Sequence, residues 1–378
     1  MFGAVLAVDR FHTTGAPRWL YVAAVLFGAG LATKLGTTAF LFPAAGFVAW
    51  DLLSRRRTLP GVARIAAIAV LLVLLFGAPP YVFSWLKTGN PVFPFMNHTF
   101  NSPWFNARES FKDWRWVMHL NAYTFYDLFF HSSWFLESQD GAAGFHYLLL
   151  VPLGCLALSR KRSYLVWLFC GVALIAFLLT FSGVPYLRYL YPAFALAAAA
   201  CAVVLGLLRT ADRTLFRAAM AVLLVVFALN MYFLPSSSFS HGDFFVNPFN
   251  RRERENNFRS EGAVKKLIAY LNQAHSGQPV AVFETADIAG LNARAYEPGW
   301  RSWPYWHQVE FLRSPEAYGR VAESLDIQYF IVPTQASGQK ASPGAVARFL
   351  EQYTETEYSY GAFEVRRLKA SAAAGSIP

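Results

Sequence analysis

Lys34 is the only charge between residues 19 and 50 of this 378-residue chain. A lysine set between two apolar halves is costly unless it meets water or an anion. It therefore reads either as a contact to a lipid phosphate or pyrophosphate, or as a snorkelling anchor at a turn. Arg188, in VPYLRYLYP, opens another apolar run. Its planar fork suits a bidentate grip on phosphate, and the competing reading is an interfacial anchor flanked by Tyr186, Tyr189 and Tyr191. Between residues 81 and 143 the chain offers Asn90, Asn97, His98, Asp127, Glu137 and Asp140. These are candidates to bind a sugar or an acceptor, with Asp127 able to serve as a base. The bland alternative for each is a solvated loop residue or an N-cap. His131, Glu137 and His146 lack a tight metal-ligand spacing, so no metal site is assigned. Asn97-His98-Thr99 has the form of a glycosylation sequon, which matters only in a eukaryotic secretory setting. GxGxxG, P-loop, HExxH and GxSxG are all absent from the sequence, so catalytic residues stay unassigned.

The elements that carry these residues are those of a membrane protein. Hydrophobic residues make up 55% of the chain and charged residues 15%, against about 25% charged in a soluble domain. The mean hydropathy is +0.32. The net charge of +10 invites a nucleic-acid reading, but its location argues against one. From residue 235 onward there are 15 basic and 15 acidic groups, while the first 234 residues hold 18 basic and 8 acidic ones. The excess thus lies in short loops between apolar runs, which is the positive-inside pattern. Cys155, Cys170 and Cys201 all sit inside apolar runs with no CxxC spacing, and read as small buried hydrophobes.

Apolar length and charge-free runs predict seven spans, at about 19–33, 36–53, 62–80, 144–158, 164–181, 189–208 and 216–234. Gly36-Thr37-Thr38 marks a tight turn between the first two. Met1–Val8 is apolar but too short to cross, and reads as the stump of a helix. Arg10, Arg18, Arg55, Arg56, Arg57, Arg64, Arg160, Lys161, Arg162, Arg209, Arg213 and Arg217 all fall on one side when seven spans alternate, and that side is expected to be cytoplasmic. The long loop and everything after 235 then lie outside. The expected division is 1–80 for the first transmembrane helices, 81–143 for an aromatic extracytoplasmic loop with an interfacial helix over 113–135, and 144–234 for four further spans. Residues 235–378 form an extracytoplasmic α/β domain. In that tail EGAVKKLIAYLNQA, SPEAYGRVAESLD and GAVARFLEQY have helical periods, and PVAVFE, IQYFIVP and YGAFEVRRL read as strands. RRERENNFR (251–259) reads as a solvated linker.

GLATKLGTTAFLFPAAGF (30–47), KTGNPVFPFMNHTFNSPWF (87–105) and LRYLYPAFALAAAA (187–200) resemble segments of bacterial integral-membrane glycosyltransferases of the GT-C type, the protein-mannosyltransferase, aminoarabinose-transferase and Rgt-like group. The resemblance extends over nearly the whole chain. It implies a mainly α polytopic membrane protein of about seven transmembrane helices in the bacterial inner membrane, with a C-terminal extracytoplasmic α/β domain. It also implies a polyprenyl-phosphate-linked sugar as donor, an envelope glycan, lipid or protein as acceptor, and an inverting displacement assisted by a carboxylate base, often with a divalent metal. Lys34 and Arg188 would then be phosphate-side contacts. The family's aspartate lies in a first outer loop that has no counterpart here. The resemblance is therefore to the C-terminal portion of such an enzyme, from a truncated frame or a split subunit, and this chain is expected to lack that catalytic region. The alternative is a non-catalytic membrane assembly protein of the envelope. A transporter is disfavoured by the shortage of polar residues within the spans.

Overall fold

A computed structural model describes residues 1–54, 61–107, 119–135, 140–141, 143–149, 163–233, 250–252, 255, 262–285, 288–334 and 344–369. The chain divides into two compact units. One is Met1–Phe95 with Glu109–Phe244, and the other is Met96–Arg108 with Phe245–Pro378. The long aromatic loop, expected as one segment, is thus shared. Its stretch 96–108 belongs to the C-terminal unit.

The first unit is helical. Helix α1 (Phe2–Thr14) ends at Gly15, whose left-handed φ of 67° lets its N–H reach Phe11 O, a glycine C-cap. The apolar Met1–Val8 lies within this 13-residue helix, which buries Ala4, Val5, Val8 and Phe11. Helix α2 (Pro17–Thr33) starts on a proline, which loses nothing at a position without an intrahelical acceptor. A 3-10 turn (Leu35–Thr37) joins it to α3 (Thr38–Ser54), where the sequence places a tight turn. Helices α4 (Val62–Gly77) and α5 (Pro79–Thr88) are bent by 53° at their junction, because Pro79 and Pro80 supply no backbone donors. The span expected at 62–80 is thus covered by α4, and the chain continues past the bend into α5. Gly28 of α2 meets α4 so closely that an added Cβ would lie 2.9 Å from Val73 O, the small-residue contact that lets two apolar helices approach.

In the second half of this unit, α7 (Thr124–Phe130) is all that forms of the expected 113–135 helix among the described residues. A 3-10 turn follows at Ser132–Trp134. A single helical turn at Asn97–Phe100, belonging to the other unit, is α6. Three long helices complete the first unit: α8 (Tyr164–Gly183), α9 (Leu187–Ala211) and α10 (Arg213–Phe233).

Four described helices are long and apolar enough to cross a bilayer: Leu35–Ser54, Tyr164–Gly183, Leu187–Ala211 and Arg213–Met231. The bent pair α4–α5 brings the number to five. Seven were expected. Helix α2 has 17 residues, about 25 Å at 1.5 Å each, short of a hydrocarbon core of about 30 Å. The expected span 144–158 lies, from residue 150 on, outside the described residues.

The C-terminal unit holds a five-stranded mixed sheet of order β2-β1-β3-β5-β4. Its strands are β1 (Val280–Val282), β2 (Ala295–Tyr296), β3 (Tyr329–Pro333), β4 (Thr354–Tyr360) and β5 (Phe363–Leu368). Strand β1 runs parallel to β2 and β3, while β5 is antiparallel to β3 and β4. Alternation along β1 and β3 sends residues to opposite faces. Val280, Val282, Tyr329 and Ile331 pack with α11 (Ala263–Ala274). Ala281, Phe330 and Val332 pack with α12 (Trp303–Val309), α13 (Pro315–Ser324) and α14 (Gly344–Tyr353). Helix α13 starts as its Ser-Pro signal predicts, with Ser314 Oγ accepting from Ala317 N at 3.2 Å. Strands β2 and β4 and helix α12 are additions to the sequence reading.

Candidate functional site

Lys34 stands at the tip of the α2–α3 hairpin in an extended conformation, φ −158° and ψ 130°. One carbonyl organises this tip. Gly30 O accepts from Lys34 N at 3.0 Å, Thr33 Oγ1 at 2.7 Å and Thr37 Oγ1 at 2.9 Å. Three donors on one acceptor stop the helix and turn the chain, which leaves the exposed Lys34 side chain leading outward. Its Nζ lies 4.0 Å from the centre of the Tyr189 ring.

Tyr189 is in the first turn of α9, next to Arg188. The Arg188 Cζ lies 4.8 Å from the same ring centre, and its Nη2 donates to Tyr189 Oη at 3.1 Å. Tyr186 stacks on Tyr189 at 5.7 Å. The two residues singled out for phosphate contact, 154 positions apart, thus meet on one aromatic ring. Their charges lie less than about 9 Å apart, close to one Debye length at physiological salt. The ring's negative face offsets part of their repulsion. An anion lodged between them would relieve the rest.

An apolar groove of about 400 Å³ runs along the same hairpin. Leu20 and Leu52 line one end, Phe27 and Leu41 the end nearer the hairpin tip, and Val70 and Leu74 of α4 one wall. From Leu52 to Leu41 the α3 wall extends about 16 Å. Among the described residues that line it, none is charged.

The loop candidates separate into distinct roles. Asn90 is fully buried. Its Nδ2 donates to Phe95 O at 2.9 Å and its Oδ1 accepts from Val92 N at 2.9 Å, so the amide is committed to the turn after α5. Asn97 is 4% exposed. It donates to Ser102 O at 3.0 Å and Phe105 O at 2.7 Å, and accepts from Ser102 N at 2.9 Å. That arrangement pins the loop and closes the sequon nitrogen off from modification in the folded state. His98 is exposed beside it. Asp140 Oδ1 accepts from Ser133 N and Oγ at 3.1 and 2.8 Å. Asp127 is half-buried on α7 with no side-chain partner among the described residues. Glu137 lies outside the described residues. His131 stacks on Trp134 at 4.7 Å, and His146 Nδ1 bonds Asn230 Nδ2 at 3.0 Å. Among the described residues no three His, Cys, Asp or Glu side chains cluster as a metal site.

Two polar clusters escaped the sequence reading. In the first unit the His12 Nδ1 meets Asp51 Oδ1 at 2.8 Å, and the His12 ring stacks on Tyr164 at 3.4 Å. These contacts join α1, α3 and α8. In the C-terminal unit a chain of hydrogen bonds runs from Tyr270 Oη to Glu357 Oε1 (2.5 Å), from Glu357 Oε1 to His275 Nε2 (2.5 Å), and from His275 Nδ1 to Tyr329 Oη (2.9 Å). Burial pushes the Glu357 carboxyl up. The hydrogen bonds from Tyr270 and His275 and the nearby charges of His275 and Arg367 outweigh it, so the group sits below the ordinary carboxylate value. The bond to Glu357, with burial added, pushes Tyr270 up to about 12. Both clusters join residues far apart in the chain, and no pattern in the sequence pointed to either.

No protein-family model and no curated protein sequence matches this chain.

Proposed function

We propose that the helical unit binds the phosphate of a lipid-linked sugar between Lys34 and Arg188, with the lipid tail in the groove along α2, α3 and α4. On this reading the protein is a GT-C-like glycosyltransferase of the bacterial inner membrane. It passes a sugar from a polyprenyl-phosphate donor to an envelope glycan, lipid or protein at the extracytoplasmic face.

The observation that carries the reading is the convergence of Lys34 and Arg188 on the Tyr189 ring. A two-cation cradle beside an apolar groove suits an amphiphile with an anionic head. In the transfer, the bond between the anomeric carbon and the donor phosphate oxygen breaks, and its electron pair leaves with the phosphate. The two cations stabilise that growing charge. The acceptor oxygen bonds the anomeric carbon from the opposite face and gives its proton to a carboxylate base. Asp127 is the candidate on α7.

The packing of 96–108 with 245–378 in one unit supports the outward placement. The four spans expected between these segments return the chain to the side it left, and arginine-rich turns such as that around Arg209 and Arg213 mark the other side as cytoplasmic.

The test is binding and turnover of a polyprenyl-phosphate sugar by the purified full chain in nanodiscs. Lys34→Ala and Arg188→Ala should each weaken donor binding about tenfold or more, as befits loss of a charge-assisted contact. Unchanged binding in both variants would overturn the reading. Binding without turnover would favour the non-catalytic assembly role.

A further inference from the structure

The C-terminal unit has a water-soluble build except at one place. Among its described residues the exposed large apolar side chains are Met96, Phe100, Trp104 and Phe311. A ladder of rings links Phe311 to the buried Phe105, the chain neighbour of Trp104. Phe105 meets Trp303 at 5.6 Å, Trp303 stacks on His307 at 5.2 Å, and His307 meets Phe311 at 6.3 Å.

The loop is built to present them. The buried Asn97 ties Ser102 and Phe105 together, and Met96 and Asn101 take left-handed conformations at φ 52° each. Phe105 is thereby turned inward, 4% exposed, while Phe100 and Trp104 are turned out, 39% and 53% exposed. Uncommon backbone held in place to expose apolar rings to water implies that something other than water meets them.

We propose that this patch is where the C-terminal unit rests on the headgroup zone of the lipid bilayer. The inference is independent of sugar transfer. Connectivity selects the occupant. Met96 follows Thr88, the end of α5, by eight residues, so it stands no more than about 28 Å from that helix end. The exposed Phe83, Trp85 and Leu86 of α5 continue into Met96, Phe100 and Trp104 as one apolar stretch of chain. Trp104 is of the residue type that membrane–water interfaces enrich, its ring apolar and its indole N–H able to meet headgroups or water.

The test uses the full chain in nanodiscs of phosphatidylethanolamine and phosphatidylglycerol, with Cys155, Cys170 and Cys201 replaced by serine. A nitroxide is placed at Trp104→Cys, Phe311→Cys or, as a control on the exposed edge of β4, Glu355→Cys. Collisions with dissolved oxygen should exceed those with a water-soluble nickel chelate at 104 and 311, and the order should reverse at 355. Chelate-dominated collisions at either 104 or 311 would overturn the proposal. Should the labelled chains fail to insert, brominated lipid should quench the tryptophan fluorescence of the native chain more than that of Trp104→Phe. Equal quenching would overturn the proposal as well.

Discussion

Tyr189 is a neutral ring that two cations approach, and that gives it two separable properties. Its π face attracts both charges, and its hydroxyl accepts from Arg188. Tyr189→Phe keeps the first and loses the second. It should weaken donor binding severalfold, about 1 kcal/mol, while Tyr189→Leu should approach the loss seen in Lys34→Ala. Donor titration of the two variants measures the difference, and equal effects would assign the role to the hydroxyl alone. At Glu357 the folded carboxyl lies below its ordinary value of 4.5. A depressed folded value means that the stabilisation is fully present above the unfolded value and is lost as pH falls through the folded one. Amide exchange across Ala263–Ala274 should therefore speed up between about pH 4.5 and lower values. Glu357→Gln should show faster exchange already at pH 7, with a cost of about 1–2 kcal/mol, and a shallower acid response. An unaltered pH profile in that variant would show that the acid response arises elsewhere.

At the scale of elements, glycine positions distinguish contact from open space. Gly28→Leu must force α2 away from the α4 backbone, since Val73 O stands 2.9 Å from the added Cβ. The expected loss is about 1–3 kcal/mol of stability in detergent. Gly46 on α3 has nothing within 4 Å of that position, so Gly46→Ala should be neutral or slightly stabilising. Thermal unfolding of the two variants by the same probe tests the contrast. The 3-10 turn and the α4–α5 bend were foreshadowed differently. Gly36-Thr37-Thr38 signals its own turn through local chemistry. Pro79 and Pro80 announce a break in sequence, but they also suit the first turn of a helix, and α5 continues from them to Thr88. The aromatic run 113–135 has helical spacing, yet its described part forms only the seven residues of α7. Amphipathic spacing gives a helix a face to bury, and neighbouring contacts decide how many turns are used.

For the whole molecule, the shared unit of 96–108 and 245–378 makes a topological demand. A reporter fused after residue 107 and one fused after residue 369 should be active in the same compartment, and one fused after Arg209 in the opposite one. Periplasm-only and cytoplasm-only reporter activities read this directly, and a split result for 107 and 369 would be incompatible with the packing.

Composition and charge order were enough to mark a membrane-embedded helical part and a polar α/β tail, because apolar length and the alternation of strand and helix are local properties of the chain. The same local rules selected Lys34 and Arg188, since a charge inside an apolar run is conspicuous wherever the run folds. Tertiary structure alone decided that the two meet on Tyr189. It also decided that Asn90 and Asn97 spend their amides on their own loops, and that Glu357 closes a chain between two tyrosines and a histidine. The Lys34–Tyr189 and Glu357 contacts join residues whose separation in sequence carries no information about their distance in space, and the two asparagines show only in the folded loop which local partners they take. Such contacts follow from which helix faces and strand registers pack together.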